Sequence, residues 1–115
     1  MMMEEEIYRE AIRQWGTKAQ LLMWLEESSE LNHAICAYLR GREGAKEGVI
    51  EEMADCQIML NQLKIVFEGD GFARLKTQKL LRLQERLHMS SSMSLKPSKS
   101  GSADSVNLQK EYKKT

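Results

Sequence analysis

The apolar positions of this chain recur at helical rather than strand spacing. Trp24, Leu31, Ile35 and Tyr38 form one series, and Val49, Met53, Cys56, Leu60, Leu63 and Phe67 another. At about 100° per residue each series falls on one helix face. No long stretch alternates apolar with polar residues. The pattern predicts a first helix over about 4–15, closing near Trp15-Gly16. A second helix, capped by Thr17, runs to about Arg40 and stops at Gly41, since glycine commonly follows a helix end. The glycine-bearing segment GREGAKEG (41–48) leads into a third helix over about 46–67. Glu68-Gly69-Asp70-Gly71 is a turn signal, and a fourth helix follows from Phe72 to about His88. No repeat of 20–50 residues is present.

Composition agrees with an all-α chain. The 115 residues suggest one domain. Strong helix formers are abundant, and the single proline, Pro97, lies near the end. The expected fold is a small antiparallel bundle of about four helices over residues 4–88. Such a short chain builds only a small core. The third helix also carries Ile50, Ile58, Ile65 and Val66 outside its main stripe. A helix apolar on more than one side needs a second partner, so the bundle is expected to be completed by dimerisation, as a dimer or a dimer of dimers.

Charge divides the chain at the same place. Residues 1–88 hold 12 Lys/Arg against 15 Asp/Glu, whereas residues 89–115 hold 5 Lys against 2 acids. A basic tail can meet nucleic acid or an anionic surface. This one has no arginine and only Tyr112 as an aromatic, and so reads as a flexible, solvated tail with no specific nucleic-acid partner. Cys36 and Cys56 read as reduced, buried thiols of a cytoplasmic protein. The acidic start MMMEEEIYRE is not a signal peptide, and no apolar run approaches the roughly 18 residues of a membrane span.

The candidate chemistry lies in two acidic motifs. The second helix carries Glu26-Glu27-Ser28-Ser29-Glu30, and the third carries Glu51-Glu52-Met53-Ala54-Asp55. Glu27 with Glu30, and Glu52 with Asp55, are each three residues apart and therefore neighbours on a helix surface. Glu27 and Glu52 lie at the edges of their apolar stripes. In an antiparallel hairpin the two pairs can converge at the rim of the core. A solvated acidic face would offer basic residues three or four positions away, but around Glu27, Glu52 and Asp55 there is none. Glu47, Glu51 and Asp55 even form a like-charged ladder, each such pair weakening a helix by roughly 0.2–0.5 kcal/mol. Two compensations are open: a basic side chain from the fourth helix, or a divalent cation. Oxygen-only donors suit a hard ion such as Mg²⁺ or Mn²⁺. Mg²⁺ in turn commonly binds substrate phosphates. Lys79 and Arg82, one turn apart, either reach such phosphates or form part of a solvated face.

Taken together, Trp15-Gly16, Gln20, EESSEL (26–31), IEEMADCQIML (50–60) and KLLRLQERL (79–87) resemble the MazG-like all-α nucleotide pyrophosphohydrolases. That family's signature is E-E-x-x-E, a variable spacer, then E-x-x-D. Here Glu26-Glu27-Ser28-Ser29-Glu30 is followed by 21 residues and then by Glu52-Met53-Ala54-Asp55. The resemblance covers about residues 7–88. It implies a helical dimer or tetramer with sites near subunit interfaces. It also implies Mg²⁺-dependent hydrolysis of a nucleoside triphosphate to monophosphate and pyrophosphate. By match of motif, Glu27, Glu30, Glu52 and Asp55 would be the metal ligands, one of them handling the attacking water. Trp15 and Gln20 fall where such proteins often form the nucleoside pocket; Trp15 is equally a candidate packing residue.

Three other readings compete. Glu30-Leu31-Asn32-His33 is an E-x-x-H of the kind di-iron bundles use, but Ile58 stands where the third helix would need its histidine. A non-catalytic or regulatory helical module that binds metal or nucleotide would keep the acids without the reaction. A phosphoribosyl-ATP pyrophosphohydrolase would run the same chemistry on another ligand.

Overall fold

Helix α1 (Glu4–Trp15) opens on three glutamates and carries Arg13 in its last turn. That charge order suits the helix dipole at both ends. Gly16 then takes φ 91°, a left-handed backbone that residues with a side chain rarely adopt, and its amide donates back to the Ile12 carbonyl. Thr17 is therefore the first residue of α2 (Thr17–Leu39), not its cap, and makes no capping hydrogen bond. The stop at Gly41 is as expected. With φ at 74°, the Gly41 and Arg42 amides return to the Tyr38 and Ala37 carbonyls. Helix α3 is Ala45–Val66 and α4 is Gly71–Met93. The computed structural model describes residues 1–69 and 71–93, and these are all-helical, with no strand. No helix among them is long and apolar enough to cross a membrane.

Residues 1–72 form one compact unit containing α1–α3, and the chain from Ala73 forms a second. In the first unit α2 and α3 are the main packed pair. Gln20 meets Gln62, and the Glu27 carbonyl meets Cys56. Early residues of one helix thus face late residues of the other, so the pair is antiparallel. Its seam is more polar than the apolar pattern suggests. Gln20 and Gln62 are each only 4% exposed, alongside buried Cys56 and Met59. Glu27 and Glu52 are half-buried at seam positions. Four stripe residues are exposed instead: Ile35, Tyr38, Met53 and Phe67. Gln20 and Gln62 keep inner positions because their amides bond each other there, and the four apolar residues lie on exposed faces. Cys36, expected to be buried, is also exposed, whereas Cys56 is buried.

Helix α1 docks through Tyr8, its one buried residue. The Tyr8 hydroxyl donates to Glu4 and accepts from Asn61 Nδ2 at 3.1 Å, while Arg9 pairs with Glu68 at 3.0 Å. Helix α4, taken by itself, exposes Leu75, Leu80, Leu83 and Leu87. It runs five residues beyond the expected boundary at His88. Residues 89–93 are thus helical where a tail was expected; the rest of that tail, 94–115, lies outside the described residues.

The buried amide pair yields a stability prediction. Gln20 Nε2 donates to Gln62 Oε1 at 2.6 Å. In Gln62→Leu the donor is left buried without a partner, at a cost of about 1–3 kcal/mol. The Gln20→Leu, Gln62→Leu double variant removes both polar groups and should recover most of the loss. Thermal unfolding of the two variants measures the difference.

Candidate metal centre

The seam geometry brings three of the four signature acids together. Carboxylate oxygens of Glu27, Glu52 and Asp55 lie within 4.8 Å of one another. Glu27 comes from the inner face of α2; Glu52 and Asp55 are one turn apart on α3. The register is fixed beside them, where Cys56 Sγ donates to the Glu27 carbonyl at 3.3 Å. Glu30 is exposed and outside the three-way cluster. It still lies close enough to Glu52 to act on its protonation. Glu51, next to the pair, is exposed.

The electrostatics are those of crowded like charges. Burial holds the Glu27 carboxyl above its ordinary value, and Asp55, Glu30, Glu52 and Glu26 push it further the same way. Glu52 is likewise raised, first by burial and then by Glu30, Asp55 and Glu51. Burial and the same acids also raise the Cys56 thiol, so it is a poor nucleophile and acts as a packing group. One oxygen of each central carboxylate, Glu27 Oε2 and Glu52 Oε2, is buried without a hydrogen-bond partner. Ion pairs in the first unit join Arg9 to Glu5 and Glu68, and Arg13 to Glu10. None involves the four acids.

A divalent cation fits this set. The donors are hard oxygens, two of them unsatisfied, and a double positive charge offsets both the repulsion and the desolvation. Among the described residues of the first unit no basic side chain pairs with these acids; the fourth-helix side chains considered from sequence belong to the second unit.

The remaining sequence candidates are more scattered. Trp15 is exposed at the end of α1. Gln20 is buried with its amide engaged by Gln62. Lys79 and Arg82 are exposed, three residues apart on α4. His33 lines a groove with Ser29, Glu30, Ala34, Gly48 and Glu52. Sequence reasoning missed Gln62 and the Cys56–Glu27 link. The first carries a weak signal, since Gln62 continues the turn spacing of Cys56 and Met59; the second involves a backbone carbonyl, which no side-chain pattern encodes. Comparison with known proteins identifies no relative: no family model, no curated protein and no solved structure matches the chain.

Proposed function

We propose that this protein is a Mg²⁺-dependent nucleoside triphosphate pyrophosphohydrolase of the MazG-like kind, with Mn²⁺ as a possible substitute ion. It converts a (d)NTP and water to the monophosphate and pyrophosphate, in a cytoplasmic housecleaning role. The observation that carries this reading is the pair of buried, unpartnered carboxylate oxygens on Glu27 and Glu52 within one three-acid cluster.

Glu27, Glu52 and Asp55 would hold the ion, with Glu30 completing the set from the exposed side. Once bound, the ion supplies charge neutralisation on the phosphates and acidifies a water. The carboxylates do the proton work. Without an ion, burial and the neighbouring acids raise the Glu27 and Glu52 carboxyls; a bound ion would offset that and favour their ionised, proton-accepting forms. One of them accepts a proton from water as its oxygen attacks the α-phosphorus. The bond to the bridging oxygen breaks, and pyrophosphate leaves with the electron pair. Following the resemblance, Trp15 would meet the nucleoside side, whereas Gln20 is taken up by Gln62 inside the seam. Phosphorus NMR of the products from dUTP, dCTP and the other common nucleotides tests the reaction type. Pyrophosphate and monophosphate are expected; orthophosphate and diphosphate would contradict it.

Self-association belongs to the same proposal. The buried apolar core of the described residues is only Tyr8, Cys56 and Met59, while Leu22, Leu25, Ile50 and Ile58 are exposed on α2 and α3. A second copy covering this surface gives the core that one chain lacks. Analytical ultracentrifugation is expected to show a dimer or tetramer, and Ile58→Lys to shift it towards monomer and lower the melting temperature by several degrees.

A further inference from the structure

Groove residues Ala34 and Gly48 lie across the seam from each other, one turn beyond Glu30 and Glu52. The register agrees with the Gln20–Gln62 and Glu27–Cys56 contacts. Two small residues at facing seam positions leave a groove of about 430 Å³, also lined by Ser29, Glu30 and His33 of α2 and by Glu52 of α3.

Gly48 is the unexplained residue there. It lies inside α3 with an ordinary helical backbone; the left-handed glycines are elsewhere. A glycine inside a helix is unfavourable relative to alanine. Packing does not require it either, because a Cβ placed on Gly48 meets no atom within 4 Å. Neither turn geometry nor crowding accounts for the missing side chain. Open space above the backbone does, if a ligand approaches closely there.

The groove lining says which part of a nucleotide fits. It contains no Trp, Tyr or Phe on which a base would stack, and its one aromatic ring is the His33 imidazole. The Ser29 hydroxyl and the His33 imidazole can each donate a hydrogen bond. Glu52 belongs to both the groove and the carboxylate cluster, so a ligand held at the cluster extends directly into the groove.

Building on the proposed function, we infer that this groove seats the substrate's leaving pyrophosphate, with His33 and Ser29 donating to phosphate oxygens and Gly48 leaving room for them. His33 and Gly48 are then positioning residues for the phosphate chain, distinct from the metal ligands.

The test is calorimetric titration of inorganic pyrophosphate, and separately of a nucleoside monophosphate, in the presence of Mg²⁺, into wild type, His33→Ala, His33→Gln and Gly48→Ala, with melting temperatures and steady-state kinetics alongside. His33→Ala should weaken pyrophosphate binding roughly tenfold, the scale of a lost hydrogen bond to a charged group. His33→Gln keeps a donor and should recover part of that loss. Gly48→Ala should move two readouts in opposite directions: a higher melting temperature, from better helix propensity, with weaker pyrophosphate binding and a raised KM. A higher melting temperature with unchanged pyrophosphate affinity would mean that Gly48 is merely a poor helix residue, and overturns the inference. Unchanged pyrophosphate affinity with weakened monophosphate binding places the nucleoside in the groove and overturns it too. If wild type hydrolyses nucleotides and none of the three variants changes either affinity, only this inference fails. If wild type neither binds pyrophosphate nor hydrolyses any nucleotide, the proposed function fails first.

Discussion

Glu52→Ala is expected to lose at least about 100-fold in Mg²⁺-dependent pyrophosphate release while circular dichroism stays helical. Altering residues that merely orient metal ligands already lowers affinity or activity by about 10–100-fold, and Glu52 stands at the centre of the cluster. It shares the three-acid set with Glu27 and Asp55, carries one of the two unpartnered oxygens, and lines the groove with Glu30. Asp55→Ala should fall comparably, because it removes one of the three converging ligands. Glu51→Ala is the internal control: that side chain is exposed and outside the set, and its loss should cost only a few-fold. Full activity in both Glu52→Ala and Asp55→Ala would remove the site assignment.

The second large effect is on stability without metal. Glu27 and Glu52 have folded-state proton affinities raised above the ordinary carboxylate value of 4.5. The folded protein therefore holds these protons more tightly than the unfolded chain. Their contribution is most favourable at low pH, begins to be lost as pH rises past about 4.5, and is fully lost above the raised folded values. Glu10 and Glu68, lowered by Arg13 and Arg9, act in the opposite sense and lose their contribution as pH falls. The informative quantity is thus a difference. At pH 7 and without divalent ions, Glu52→Gln should melt higher than wild type, and the gap should close towards pH 4. Adding Mg²⁺ should reverse the order. At a hundredfold excess over its Kd, an ion bound only to the folded state adds about 2.7 kcal/mol, a rise on the order of 10 °C for a domain this size. Glu52→Gln should show little of that rise. An acidic patch without an ion site would give the charge effect alone.

The site acids were legible in sequence because charge at helical spacing, without nearby bases, is a local pattern. The four helices were legible for the same reason, with Gly16 and Gly41 marking two of the breaks. Inner and outer faces were less so. Apolar identity pointed to Met53 and Phe67 as core residues, yet both are exposed, while Gln20 and Gln62 are buried. A buried glutamine is stable only if its amide finds a partner, and that partner is 42 residues away. Glu27 and Glu52 also face the seam, where each has the other helix's acids beside it. Cys36 was misjudged because cysteine is usually buried, although its position on α2 turns away from the seam. The fourth helix carries past His88 because the three serines that read as a linker, flanked by Met89 and Met93, do not by themselves break a helix.

The central claim is that the α2–α3 seam is a divalent cation site. Electron paramagnetic resonance of free Mn²⁺ during titration with protein measures this directly, without requiring the right nucleotide. Wild type should deplete the free-ion signal saturably, with Mg²⁺ competing for the same site, and Glu52→Gln should leave most of the signal in place. An equal response from wild type and Glu52→Gln, or no depletion by either, would contradict it.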